Sequence, residues 1–212
     1  MISAIQFAQS AGGKILRKLY QRKHHYLVLA APHAGNPPAG SILPPDLRFT
    51  PLTLELVKNA FKRQALPAHK FNAYAYCLQR KIPALAIVNF NDELQGCSFI
   101  NFSTTIKTSG GISAHPDTQH GFIHDTYVLP AARGHKLGLA LNLRMCELYA
   151  DKKLFCTVIM DNIPAIRNWK TCGCKLLVTL DSVKLPGYGW RTRLTRLDKS
   201  AAEYIALLSF SK

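Results

Sequence analysis

Acidic residues are what this chain has least of. Twelve Asp and Glu stand against twenty-seven Lys and Arg in 212 residues, a formal charge of +15, and none of the twelve occurs before Asp46. That balance weighs against cationic partners such as polyamines, which need carboxylates around them, and favours anionic ones. The six cysteines, at 77, 97, 146, 156, 172 and 174, contain no Cys-x-x-Cys pair. Cys172-Gly173-Cys174 finds no matching ligand pair elsewhere, so no metal site is expected. Cys77, Cys146 and Cys156 lie in apolar periodic runs, where cysteine behaves as a small hydrophobe; free thiols in a reducing, cytoplasmic setting are expected. No apolar run approaches the ~20 residues that span a bilayer. The stretch from Tyr26 to Ala31 is too short for the apolar part of a secretory signal. There is no internal repeat.

What remains is a globular composition, 48% hydrophobic and 18% charged. The length suits one domain with an N-terminal extension. Residues 1–45 form that extension. Up to residue 25 it mixes Ile2, Ile5, Phe7, Ile15, Leu16 and Leu19 with Lys14, Arg17, Lys18, Arg22 and Lys23, which suggests a basic amphipathic helix. Such a helix would either lie on an anionic membrane or RNA, or pack on the domain or a second protomer in a homodimer. A strand over Tyr26–Ala31 and a Pro- and Gly-rich linker over 33–45 follow.

The domain proper, 46–212, opens with a strand over Leu47–Leu52. Thr53 is the N-cap of a helix running to Gln64. A second helix is expected over Phe71–Lys81, stopped by Pro83. Its aromatics Phe71, Tyr74 and Tyr76 either pack in the core or line a site. Ala84–Phe90 and Cys97–Phe102 make a strand pair around Asn91-Asp92-Glu93. Ser103–Gln119 reads as a long polar loop. Strands follow at Phe122–Leu129 and Leu154–Met160, the latter an unbroken apolar run suited to burial on both faces. Leu176–Val183 and Trp190–Leu197 close the chain as a hairpin across Pro186-Gly187-Tyr188-Gly189.

The chain is organised around Tyr127 to Leu141. Tyr127, Val128 and Leu129 carry strand character, and Pro130 ends the ladder because it has no N–H to donate. From Leu137 on, Leu137, Ala140, Leu141, Met145 and Leu148 recur at helical spacing. Between them Gly134 and Gly138 let an anion approach backbone N–H groups backed by the positive end of a helix dipole. That is a phosphate receptor.

A second stretch, Asp161 to Cys174, follows one helix and one strand later. Together the two resemble the GNAT superfamily of acyl-CoA-dependent N-acetyltransferases, with the pattern Val-x-Pro-x-x-Arg-Gly-x-Gly-x-Gly, helix, apolar strand, Asn-x-x-Ala-x-x-x-Tyr-x-x-x-Gly-Phe. Val128, Pro130, Arg133, Gly134, Gly138, Asn162, Ala165 and Gly173 fall on it in register, and the likeness covers roughly residues 85–197. The resemblance implies an α/β (α+β) fold with a mixed, mostly antiparallel sheet flanked by helices, and acetyl-CoA or another acyl-CoA as co-substrate. It implies that N–H groups of Arg133, Gly134, His135, Lys136, Leu137 and Gly138 hold the pyrophosphate. The backbone of Val128 and Leu129 would take the pantetheine arm, with Asn162 beside it. Lys136 stands at the family's middle glycine, and Trp169 at the position of its acidic Tyr.

Transfer to an amine needs a base, since an amine of pKa ~10.4 is mostly protonated at pH 7. His124, four residues before Val128, is the candidate, with His120 an even number of residues away on the same strand. Asp125 faces the other way unless a bulge intervenes. Trp169 has no acidic proton to give a leaving thiolate, which leaves water, Tyr188 or Tyr127. The expected activity is N-acyl transfer to a primary amine of unknown identity, an aminoacyl-tRNA among the options. The alternative is a catalytically weak acyl-CoA-binding or regulatory module.

Overall fold

The computed structural model describes residues 21–29, 39–185 and 188–210. Residues 1–20 of the expected N-terminal helix, residues 33–38 of the expected linker over 33–45, and Pro186 and Gly187 of the expected hairpin turn lie outside them. Eight strands form one sheet: β1 (Gln21–Leu29), β2 (Leu47–Pro51), β3 (Ala84–Asn89), β4 (Leu94–Asn101), β7 (His120–Val128), β8 (Lys153–Ile159), β9 (Lys175–Leu185) and β10 (Gly189–Arg196). Their order across the sheet is β10-β9-β1-β8-β7-β4-β3-β2. Every pairing in it is antiparallel except β7 with β8.

Alternation along the strands sorts side chains to two faces. Leu85 and Ile87 of β3 join Ile100, Ile123 and Cys156 beneath the helices α3 (Leu137–Leu148) and α4 (Ile163–Thr171). Ala86 and Val88, with Cys97 and Phe99, turn to the opposite face and bury α1 (Leu54–Lys62) and α2 (Ala68–Gln79). Further along that face Leu27, Phe122, Phe155 and Leu180 pack against α5 (Ala201–Ala206). Thr53 caps α1, its hydroxyl accepting from the Leu56 N–H at 3.3 Å. Helix α2 begins three residues before the expected Phe71, because Pro67 supplies an entry that needs no side-chain cap.

Two stretches depart from the sequence expectation. Residues 21–25 are not the end of a helix but the first half of β1, paired along their length with β9 and, from His25 on, with β8 as well. Their run Gln-Arg-Lys-His-His has no apolar alternation to announce a strand; tertiary pairing with β9 decides it. His25 is buried, with Nε2 2.6 Å from the Ser109 hydroxyl, and burial, aided by the charges of Lys23 and His24, pulls its pKa down to about 4. The expected loop 103–119 contains β5 (Ile106–Lys107) and β6 (Ile112–Ala114), which form a second sheet with β11 (Leu208–Phe210). Strands of two or three residues whose partner lies far along the chain leave no local signature.

The cysteines are core residues throughout. Hydrogen bonding to Cys174, together with burial, raises the Cys146 and Cys172 thiols far above their ordinary range, so they stay protonated and pack as small apolar groups.

Because β1 is internal to the sheet, its apolar side chains carry full core weight. Leu27 is wholly buried, and Leu27→Ala is expected to lower the unfolding free energy by about 2–5 kcal/mol, measured by chemical denaturation. A loss within experimental error would mean that β1 is an appended strand.

Candidate functional site

Strands β7 and β8 pair over three residues only, His120, Gly121 and Phe122 against Lys153, Leu154 and Phe155. Beyond that they part, and the side of β7 facing β8 runs on without a strand partner. A groove of about 680 Å³ opens there, walled by Thr126–Val128 of β7, the start of α3 and one face of α4. The Val128 carbonyl, whose place in a complete ladder a strand N–H would take, accepts instead from Arg133 Nε at 3.3 Å.

At the groove's mouth the chain makes a single 3-10 turn over Pro130–Ala132 and enters α3 through residues 133–136. Gly134 has φ +89° with nothing within 4 Å of where a Cβ would stand. Lys136, just before the helix, holds φ +56°, the left-handed conformation that side chains resist. That bend aims the first turn of α3 into the groove. Its N–H groups have no side-chain cap, and no acidic residue stands in the first turn. Free N–H groups at the positive end of a helix dipole, with Lys136 and Arg133 beside them, bind anions.

Below them Asn142, 3% exposed, lines the groove, and its buried Oδ1 has no hydrogen-bond partner. Burying such an oxygen unpaired costs about 1–3 kcal/mol, which a ligand N–H offsets. Gly138 marks the closest approach of the two helices, since a Cβ there would lie 2.9 Å from Asn168 Nδ2. Asn162 caps α4 by accepting from the Ala165 N–H at 3.3 Å and also lines the groove. These features fit a substrate with phosphates at one end and an amide-bearing arm along β7.

A family model described as acetyltransferase (GNAT) matches residues 56–174. The chain belongs to the acetyltransferase (GNAT) family. Among solved structures it is similar to a Drosophila protein, with a TM-score of 0.52 at 16% identity over 84% of this chain and 57% of that one. It is similar also to a GCN5-related N-acetyltransferase from Sphaerobacter thermophilus (TM-score 0.50, 18% identity, 89% of this chain, 58% of that one). A tandem GNAT protein from the clavulanic acid biosynthesis pathway gives a TM-score of 0.50 at 16% identity, over 92% and 59% of the two chains. At such identities the likeness is one of fold. The chain spans under three fifths of the length of each of these three. Comparison with curated proteins found no match.

In this GNAT chain the groove gathers Val128, Arg133, Gly134, Lys136, Leu137, Gly138, Asn162 and Trp169, all expected from the sequence. His135 is exposed and does not line it. Leu129 turns its side chain into the opposite core, and its N–H donates to the Gln95 carbonyl at 2.9 Å. Tyr188 is 69% exposed next to the β9–β10 turn, at the far edge of the sheet, and does not reach the groove.

His120 lies at the closed end of the fork, roughly 13 Å of extended chain from His124. Its Nδ1 meets Asp117 at 2.9 Å and its Nε2 meets Glu203 at 2.8 Å, so neither nitrogen is left to take a proton. Burial tends to lower its pKa, but the hydrogen bonds its ring N–H groups donate to Glu203 and Asp117 more than offset that and raise it. His120 is therefore a structural cross-link between β7 and α5. His124 is different. It is nearly buried, stacked between Phe99 and Phe122, and its Nε2 has no partner.

Sequence reasoning missed Asn142 and Asn168. The signal for the first was present: Asn142 follows Gly138 by one helical turn and is the polar exception in an apolar stripe. Asn142→Leu keeps the side chain's approximate size and removes an unpaired buried oxygen. It is expected to leave the thermal midpoint unchanged or raised while weakening acetyl-CoA binding about tenfold, read by calorimetry. Unchanged affinity would remove Asn142 from the site.

Proposed function

We propose that the protein is an acyl-CoA-dependent N-acyltransferase that takes acetyl-CoA as donor and a primary amine as acceptor. The observation that carries this reading is the meeting, in one groove, of an uncapped helix N-terminus with the buried, unpartnered Asn142 Oδ1. Neither feature favours the empty protein, and both suit a phosphorylated ligand with an amide-bearing arm.

Bound acyl-CoA supplies a thioester already activated toward an amine. The N–H groups of the first turn of α3 hold its phosphates, with Arg133 and Lys136 adding charge. The open edge of β7 receives the arm as it would an added strand, which competes with Arg133 Nε for the Val128 carbonyl. His124 Nε2 accepts the proton that the acceptor amine must shed. Trp169, 4% exposed, gives no proton from the tyrosine position, so that wall of the groove orients rather than protonates.

Trp169 also supports a second reading, a fold that binds acyl-CoA without turning it over. The charge of +15 supports a third, in which the amine belongs to an aminoacyl-tRNA. Titration with acetyl-CoA, octanoyl-CoA and free CoA separates these from the outset. Binding of all three, weakened at least about thirtyfold in Gly138→Glu, is expected, because a carboxylate there repels phosphate across a short distance. With turnover on a panel of amines and aminoacyl-tRNAs, His124→Gln is expected to lower kcat about a hundredfold. Binding without turnover on any acceptor supports the module. No binding of any of the three sinks the acyltransferase reading.

A further inference from the structure

Strand β7 carries a bulge. Phe99 of β4 stands opposite His124 and Cys97 opposite Tyr127, so Asp125 and Thr126 share the place of the single residue Ser98. Asp125 absorbs the extra length with φ +52°, in the left-handed region. Two consequences follow. His124 and Tyr127, three apart and so on opposite faces of a regular strand, now share one face. Tyr127 is among the residues that line the acyl-CoA groove; His124 does not line it and stands one bulge away on the same strand, its Nε2 buried. The bulge also swings the Asp125 carboxylate back beside the histidine that precedes it.

The contacts made there are specific. Asp125 Oδ2 lies 3.2 Å from His124 Nδ1, and Oδ1 lies 2.6 Å from Lys70 Nζ of α2. Lys70 in turn sits over the rings of Tyr74 and Tyr127, at 5.6 and 5.5 Å from their centroids. Burial alone would raise the Asp125 pKa, but the hydrogen bonds from His124 and Lys70 and their charges outweigh it and hold the carboxyl well below its ordinary range. Asp125 is thus ionised and can only accept. His124 Nδ1 must then be the nitrogen that carries the hydrogen. In the neutral ring the lone pair is left on Nε2, the atom that is buried without a partner.

We propose that Asp125 and Lys70 are positioning residues that hold His124 as its Nδ1–H tautomer, with Nε2 presented as the proton acceptor for the amine. Lys70 fixes Asp125 from α2, Asp125 fixes the ring from the bulge, and Phe99 and Phe122 hold its plane. The left-handed backbone at Asp125 is the strain that sets the carboxylate on the histidine's side. This arrangement rests on the acyltransferase reading for its purpose, but the tautomer is a property of the ligand-free chain.

The test is ¹⁵N NMR of the histidine rings in the full-length, ligand-free protein, at alkaline pH where imidazoles are neutral. In the wild type, His124 is expected to show a protonated Nδ1 and a bare Nε2. Asp125→Gly deletes the carboxylate while suiting φ +52°, so the bulge survives; the tautomer preference should be lost. Lys70→Met keeps the carboxylate but removes the cation that fixes it from α2, so the tautomer preference should weaken, less than in Asp125→Gly. Where turnover is measurable, Asp125→Gly should lower kcat about tenfold, a fraction of the general-base effect, with the acyl-CoA KM little changed. A wild-type His124 protonated at Nε2, or an unaltered tautomer in Asp125→Gly, overturns the proposal. Absence of turnover with the expected spectra fails the acyltransferase reading alone.

Discussion

A parallel strand pair that stops after three residues leaves backbone groups inside a sheet with no ladder to join. Backbone N–H and C=O groups shut away from water need partners, and in this protein the free side of β7 borrows one: Arg133 turns back to donate to the Val128 carbonyl. Everything around the fork is compatible with that vacancy being filled. Helix α3 starts at its mouth, α4 forms the opposite wall, and the Asn142 oxygen waits on the lining. A groove that were only a packing fault would be closed by apolar side chains, as the remainder of this core is. Here the lining is polar where an arm with amides would run.

Strain marks the same place. Among the described residues, five that are not glycine hold positive φ. Gln64, Lys81 and Asp92 end helices or make the β3–β4 turn, where a left-handed residue is a routine way to stop an element. Asp125 and Lys136 end nothing of that kind. One sits inside β7, beside Thr126 of the groove's wall, and the other at the threshold of α3. The family pattern has glycine where Lys136 stands, and the left-handed backbone explains why glycine suits that position. Keeping lysine there puts a cation beside the phosphate end at the expense of backbone ease.

Much of this was legible in the chain itself. The apolar periodicity from Leu137, the helix cap at Thr53 and the apolar runs of β3, β4 and β8 all appear close to where they were expected, because each is decided by neighbours within a few residues. The turn into α3 was legible through Gly134 and Gly138 for the same reason. What escaped reading was decided at long range. Nothing in Gln21–His25 tells that a strand from far along the chain, β9, will pair with it. His120 looked like His124 by strand parity, and only the arrival of Glu203 from α5 reveals it as a cross-link. Tyr188 was a candidate by chemistry alone. Asp125 was assigned to the wrong face unless a bulge intervened, and one does: a single inserted residue reverses parity, which no pattern of hydrophobicity records.

The central claim is that the fork between β7 and β8 is where acyl-CoA binds. Backbone amide resonances followed during titration with free CoA test it most directly. The account predicts that the amides of Arg133 to Leu139 and the Asn142 side chain move together and saturate at one ligand concentration, along with residues 126–128 of β7. Saturating shifts confined to the basic strands β9 and β10, with Gly134 to Gly138 unmoved, would contradict it.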